Sequence, residues 1–373
     1  MTRHTLTQTR FLFRSCAPAC IFCLLLILAV DSSIAGGEEN STAYSGVAAI
    51  GNPTGCSRQV GVVDATPDGL VSSLNHRGFI YSQRGELDCA IQEFDRAIEL
   101  KPEWDVLFNN RGLVYKQKGE IDRSIEDFNR AIYLKPENPE ALNNRGDAYF
   151  ARNEFDRAIQ NYDQALALKP DYAEAHNNRG AACAGKGEFV QAIQDYDEAL
   201  QLKPDYVEAH YNRGIAHMRL GHLDLANSDF NEAIRLKPDF AEAFNDRGAA
   251  LNAQGKRRPA IENYTEAVRL KPDYAEAFYN RGIAFYGAGD RDRAIQDFSA
   301  AIRLKPDYAE AYNNRGGLYA QEGQLDRAIE DFNLAVRLKP DYAKAVRNRA
   351  LAIAQKTELS RAAQVAGEAA GQE

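Results

Sequence analysis

The sequence predicts an all-α fold, a solenoid built from eight 34-residue helix–turn–helix units. Three observations carry that prediction. Lys-Pro recurs at 101, 135, 169, 203, 237, 271, 305 and 339, always 34 residues apart. Arg-Gly recurs in step at 77, 111, 145, 179, 213, 247, 281 and 315. Between these marks the apolar residues fall at helical spacing in two separate runs.

Ahead of the repeats lies a segment of different character. MTRHTLTQTRFLFR carries Arg3, Arg10 and Arg14, CAPACIFCLLLILAV (16–30) is continuously apolar, and the chain then turns small and polar. A basic start, an apolar core and the small-x-small site Ser33-Ile34-Ala35 read as a secretory signal peptide over 1–35, cut before Gly36. The alternative is a retained anchor through 16–30, but a span needs about 20 apolar residues. This core is shorter and contains Pro18. The protein is therefore expected to be exported, periplasmic or secreted. It would meet a membrane only if the segment is retained. Residues 36–70, rich in Gly, Ser, Thr and Asn, read as a flexible leader.

The units run 71–104, 105–138, 139–172, 173–206, 207–240, 241–274, 275–308 and 309–342. In the second unit Phe108, Gly112 and Tyr115 define one face of a first helix. Ile121, Ile125, Phe128, Ile132 and Leu134 define the apolar side of a second, with Gly119 at the turn. Position 27 is Ala in every unit and position 24 is always Phe or Tyr. Small residues at 8, 20 and 27 let the helices approach closely. After 342, AKAVRNRALAIAQ keeps first-helix spacing with Ala350 in place of the glycine. Residues 343–373 read as a capping helix or helices with a polar tail.

This pattern of residues at 4, 8, 11, 20, 24, 27 and 32 resembles the tetratricopeptide repeat (TPR) family, of an exported bacterial type, over residues 71–342. The resemblance implies a right-handed superhelical solenoid. One departure is constant: the family's usual Leu at position 7 is Arg in all eight units. Position 23 carries Glu93, Asp127, Asn161, Asp195, Asp229, Asn263, Asp297 and Asp331, which suggests an Arg–acid pair inside each unit.

That pairing answers the nucleic-acid reading of Arg-Gly, as does a net charge of −8. Lys-Pro-Asp reads as punctuation: the lysine complements the helix dipole, proline ends the helix, and Asp-x-x-Glu at 171, 205, 239, 273 and 307 has capping-box spacing. His176, His210, Cys183 and His217 occupy positions 4 and 11, two turns or about 10 Å apart, too far for one zinc ion. No cofactor or small-molecule motif is present, and Cys20-Ile-Phe-Cys23 lies inside the signal segment. The odd set Cys56, Cys89 and Cys183 permits one disulfide.

The resemblance implies that the first-helix face lines a groove for extended or disordered segments of other proteins. Position 6 there is Asn110, Asn144, Asn178, Asn212, Asn280 and Asn314, with Asn348 in the cap and Asp246 interrupting the series. Such a ladder suits a peptide backbone, or else each amide bonds a neighbouring helix. Tyr211, Ile215 and Met218, and again Tyr279, Ile283 and Tyr286, form apolar ridges at i, i+4 and i+7 that suit ligand side chains. A segment laid through units five to seven would place a cation against Asp246.

Glutamate at position 2 (Glu140, Glu174, Glu208, Glu242, Glu276, Glu310) argues against a carboxylate clamp. The expectation is a non-enzymatic interaction scaffold or adaptor. The alternatives are a non-catalytic arm or assembly factor of an envelope enzyme complex, and a self-assembling structural protein.

Overall fold

A computed structural model describes residues 66–370 of the chain, all of it helix and tight turn. The signal segment and nearly all of the leader lie outside the described residues. Helix α1 (Pro67–Gln83) starts four residues before the first repeat boundary, with Thr66 accepting from the Gly69 amide at 3.1 Å. Thereafter the helices alternate at fixed places in each period. They are α2 (Leu87–Leu100), α3 (Asp105–Gln117), α4 (Ile121–Leu134), α5 (Pro139–Ala151), α6 (Phe155–Leu168), α7 (Ala173–Lys186), α8 (Phe189–Leu202) and α9 (Val207–Arg219). Then come α10 (Leu223–Leu236), α11 (Ala241–Ala253), α12 (Arg257–Leu270), α13 (Ala275–Gly287), α14 (Arg291–Leu304), α15 (Ala309–Gln321), α16 (Leu325–Leu338) and α17 (Ala343–Ala370).

The described residues form two compact units, α1–α9 and α10–α17, divided at Leu220/Gly221. In the first, each odd helix packs on the even helix that follows it, and each even helix packs on the next odd one. In the second the same order runs from α10 to α17, with α11 touching α13 and α15 touching α17. This consecutive pairing, without a strand among the described residues, is the solenoid arrangement the period predicts.

The local causes repeat. Each turn between paired helices has a left-handed residue at position 15, glycine seven times with φ between 75° and 87° and Asn153 once at 58°. Alanines at 20 and 27 are fully buried, and the aromatic at 24 lies against the glycine at 8. A Cβ on Gly146 would sit 2.5 Å from the Tyr162 ring, and one on Gly282 2.8 Å from Phe298. In α17 the turn residue has become Thr357, and the helix runs straight through for 28 residues instead of folding back. The cap is one helix.

The capping boxes are not formed. The N-cap is the aromatic at position 34, as at Tyr172, Tyr206, Phe240, Tyr274 and Tyr308, and none of these makes a side-chain cap bond. Asp sits one residue too early. The ring wins the place because it is buried, or half-buried at Tyr172, beneath the Lys-Pro lysine: Lys203 lies 4.8 Å from the Tyr206 centroid and Lys305 5.0 Å from that of Tyr308. Burying an aromatic side chain is worth about 1.5–3 kcal/mol, more than the ~1 kcal/mol of a typical cap.

Candidate functional site: the face of the first helices

The asparagine ladder connects one repeat to the next. In the first unit Asn110, Asn144, Asn178 and Asn212 donate their Nδ2 to the Oδ1 of Asn75, Asn109, Asn143 and Asn177, at 2.9, 3.0, 3.3 and 3.1 Å. In the second unit Asn280 donates to Asn245 at 3.0 Å, Asn348 to Asn313 at 2.9 Å, and Asn314 to the Tyr279 hydroxyl at 3.0 Å. Each bond reaches back from position 6 to position 5 of the repeat before. Position 5 relays it forward: Asn177 donates to Asn178, Asn313 to Asn314 and Asn245 to Asp246.

Asn144, Asn178, Asn314 and Asp246 are buried, whereas Asn110, Asn212 and Asn280 are half-buried. Only the latter rungs keep appreciable surface for a ligand. The relay residues at position 5 were not singled out from the sequence, although the repeated Asn-Asn dipeptides (109–110, 143–144, 177–178, 313–314) carried the signal.

The arginine at position 7 lies beside this ladder and is the second connector. Arg111 donates from Nε and Nη2 to Asp127 at 2.8 and 2.7 Å, Arg281 to Asp297 at 2.8 and 2.8 Å, and Arg315 to Asp331 at 2.9 and 2.8 Å. Where the partner is asparagine, one bond remains: Arg145 to Asn161 and Arg247 to Asn263, both at 2.7 Å. The remaining nitrogen, Nη1, reaches position 25 of the preceding repeat. It contacts Asp95, Asn129, Asp163, Asp197, Asn231, Thr265 and Ser299 in turn. Burial opposes the charge of Arg111, but its bonds to Asp127 and Asp95 outweigh that and hold its pKa above the usual arginine range. The guanidinium therefore fastens two helices of its own repeat and the second helix of the one before.

Asp147 is a further, half-buried junction, accepting from Lys116 Nζ at 2.9 Å, Tyr162 Oη at 2.8 Å and Asn178 Nδ2 at 3.0 Å. The histidines at position 4 serve the turns: Nε2 of His176 and of His210 lies 3.0 and 2.9 Å from the carbonyls of Pro170 and Pro204. His176 Nδ1 is 3.8 Å from Asp195, whose carboxylate raises the imidazole pKa while burial opposes it. Cys89 is disulfide-bonded, and Cys183 is a free thiol that burial pushes up to about 11. Among the described residues no group of His, Cys, Asp and Glu could hold a metal ion.

The two apolar ridges differ. In the first unit Tyr211 and Ile215 are buried and Met218 is half-buried. In the second, Tyr279, Ile283 and Tyr286 are all half-buried along one face of α13, against a cluster built on Phe285, Phe298 and Leu318. Tyr279 stacks on Tyr308 with centroids 4.8 Å apart, and the Tyr286 hydroxyl accepts from Gln321 at 3.1 Å. These side chains are held in place and still present surface. Along their rim Glu242 pairs with Lys271 at 2.9 Å and Glu310 with Lys339 at 3.2 Å, and burial raises the pKa of Glu276.

Comparison with known proteins agrees with this architecture. A family model described as TPR repeat matches residues 78–119, 112–151, 146–187, 182–221 and 248–289. Models described as tetratricopeptide repeat match 207–240 and 279–343. No curated protein matches. Among solved structures the chain is similar to one in the APC/C hetero-tetramer Cut9–Hcn1, with 19% identity and a TM-score of 0.56. That match covers 77% of this chain and 58% of the other. A tetratricopeptide repeat protein from Parabacteroides merdae is similar at 20% identity and a TM-score of 0.52, over 66% of this chain and 98% of the other. YrrB, described as a TPR protein with an unusual peptide-binding site, is 26% identical over 53% of this chain and 99% of its own, with a TM-score of 0.44.

Proposed function

The chain belongs to the tetratricopeptide repeat family, whose repeats make protein-interaction scaffolds, and from that premise we propose a non-enzymatic adaptor that docks extended segments of partner proteins on its first-helix face. The observation that carries this reading is the ridge of Tyr279, Ile283 and Tyr286. It is half-exposed, apolar and pre-set by its own hydroxyl bonds, so little side-chain entropy is lost when a ligand covers it. The half-buried amides of Asn110, Asn212 and Asn280 offer polar contact to a peptide backbone, while the buried rungs keep neighbouring repeats in register.

A bacterial envelope location is part of the proposal, supported by the basic, apolar and small-residue order of residues 1–35. The test is a pull-down from envelope extract with the purified protein and with a Tyr279→Ala/Tyr286→Ala variant. The expected result is a partner retained by the native protein and lost by the variant, with helical circular dichroism unchanged. Equal retention by both would place docking elsewhere.

A further inference from the structure

The fourth repeat lacks a filling that four other repeats have. In the second, third, seventh and eighth units an aromatic at position 11 lies under an arginine from position 19. Arg123 is 4.2 Å from the Tyr115 centroid, Arg157 5.5 Å from Tyr149, Arg293 4.4 Å from Phe285 and Arg327 4.8 Å from Tyr319. The ring wedges between consecutive second helices. Tyr149, for example, packs on Ile125 and Phe128 of α4 and on Ala158 and Tyr162 of α6. In the fourth unit these two positions are Cys183 and Gln191. Cys183 keeps the apolar contacts with Ile159, Ala192 and Tyr196, but the ring and the guanidinium are both missing.

A cavity of about 900 Å³, open to solvent along its outer side, stands in their place, between α6 and α8 with α7 beneath. Its floor is Ile159 and Cys183. Its walls carry five carboxylates, Asp156, Asp163, Glu188, Asp195 and Glu198, against two cations. Each cation is already shared between two acids: Arg179 with Asp163 and Asp195 at 2.7 and 2.6 Å, and Lys186 with Asp156 and Glu188 at 2.9 and 2.8 Å. Glu198 has no cation beside it among the described residues. The cavity is thus apolar below and net negative above, which suits the ring-and-guanidinium pair that occupies the equivalent place in the second, third, seventh and eighth repeats.

We infer that this cavity is a second docking site, on the second-helix side of the α1–α9 unit, and that it takes an arginine–aromatic pair from a partner protein's segment. The ring lies on Ile159 and Cys183, and the guanidinium lies among the wall carboxylates. The site is separate from the first-helix face, so either can fail without the other.

The test is fluorescence anisotropy of the full chain with a labelled Gly-Phe-Arg-Phe-Arg-Gly peptide and with the same peptide carrying Glu for Arg. The expected result is binding of the first only, weakened by salt. Cys183→Tyr with Gln191→Arg, which copies the filling of those four repeats, should keep the helical spectrum. It should also weaken binding by about tenfold or more, the loss expected when a desolvated ring and its cation contact are excluded. Tyr286→Ala should leave this binding unchanged. Equal binding of both peptides, or a filled variant that binds as the native chain does, would overturn the inference. Should the filled variant not fold, Glu198→Lys, a charge reversal at an exposed wall position, reads the same site: it should lose binding of the arginine peptide. Unchanged binding counts against the inference.

Discussion

Replacing Arg315 by leucine removes two charge-assisted bonds to Asp331, at 2.9 and 2.8 Å, and one to Ser299 Oγ at 3.0 Å. The Asp331 side chain is only 5% exposed, so the substitution leaves a buried carboxylate without its cation. Stranding one member of a buried pair costs about 3–5 kcal/mol, whereas exchanging both members for packed apolar groups is often neutral. Arg315→Leu should therefore destabilise by about 3–5 kcal/mol, and Arg315→Leu with Asp331→Tyr should return most of that loss. Asp331→Asn should cost less, about 1–2 kcal/mol, because Arg145–Asn161 and Arg247–Asn263 show that an amide still accepts one bond. Urea denaturation followed by circular dichroism gives the midpoints. Hydrogen exchange on α15 and α16 then places the loss, since repeat arrays need not unfold as one. A double variant as unstable as the sum of its singles would refute the pairing argument.

Gly282→Ala should lower stability by about 1–3 kcal/mol, the usual cost of overpacking, because the new Cβ meets Phe298 at 2.8 Å; a thermal melt checks it. Asn348→Ala removes a buried bond to Asn313 and should destabilise α17 by about 1–2 kcal/mol, seen as faster amide exchange there. His176 has a raised folded-state pKa, caused by Asp195, so its contribution to stability is complete below its unfolded pKa of about 6.5 and is lost as pH rises through the higher folded value. Melting temperatures of the native chain should accordingly decline relative to His176→Phe as pH rises from about 6 to 8. A constant difference over that range would remove the Asp195 coupling.

The period and its packing were legible because they rest on residues whose size alone decides the outcome. Glycine at 8 faces an aromatic at 24, and a left-handed residue stands at 15 in every unit. The pairing of positions 7 and 23 was legible too, since charge alternates with charge at one spacing. Its extension to position 25 was hidden. Asp95, Asn129, Asp163, Thr265 and Ser299 share only an acceptor oxygen, and a chemical mixture does not look like a motif.

The asparagine ladder showed its rungs but not their direction. Polarity on a helix face does not say whether an amide meets solvent or the neighbouring helix. The capping boxes misled for a related reason: spacing alone placed Asp at the N-cap, while burial of the next residue's ring decided the matter. The emptiness at Cys183 could not be foreseen, because it depends on two positions on different helices being small or uncharged together.

The proposed docking face is tested most directly by placing a photo-crosslinking benzoyl-phenylalanine at Tyr286 in the full chain and identifying by mass spectrometry what it captures in cells. The same group at Tyr133, an exposed second-helix position, is the control. The expected result is one recurrent adduct at 286, mapping to an extended segment of a partner protein and absent at 133. No adduct at 286, or the same adducts at both positions, would contradict docking on the first-helix face.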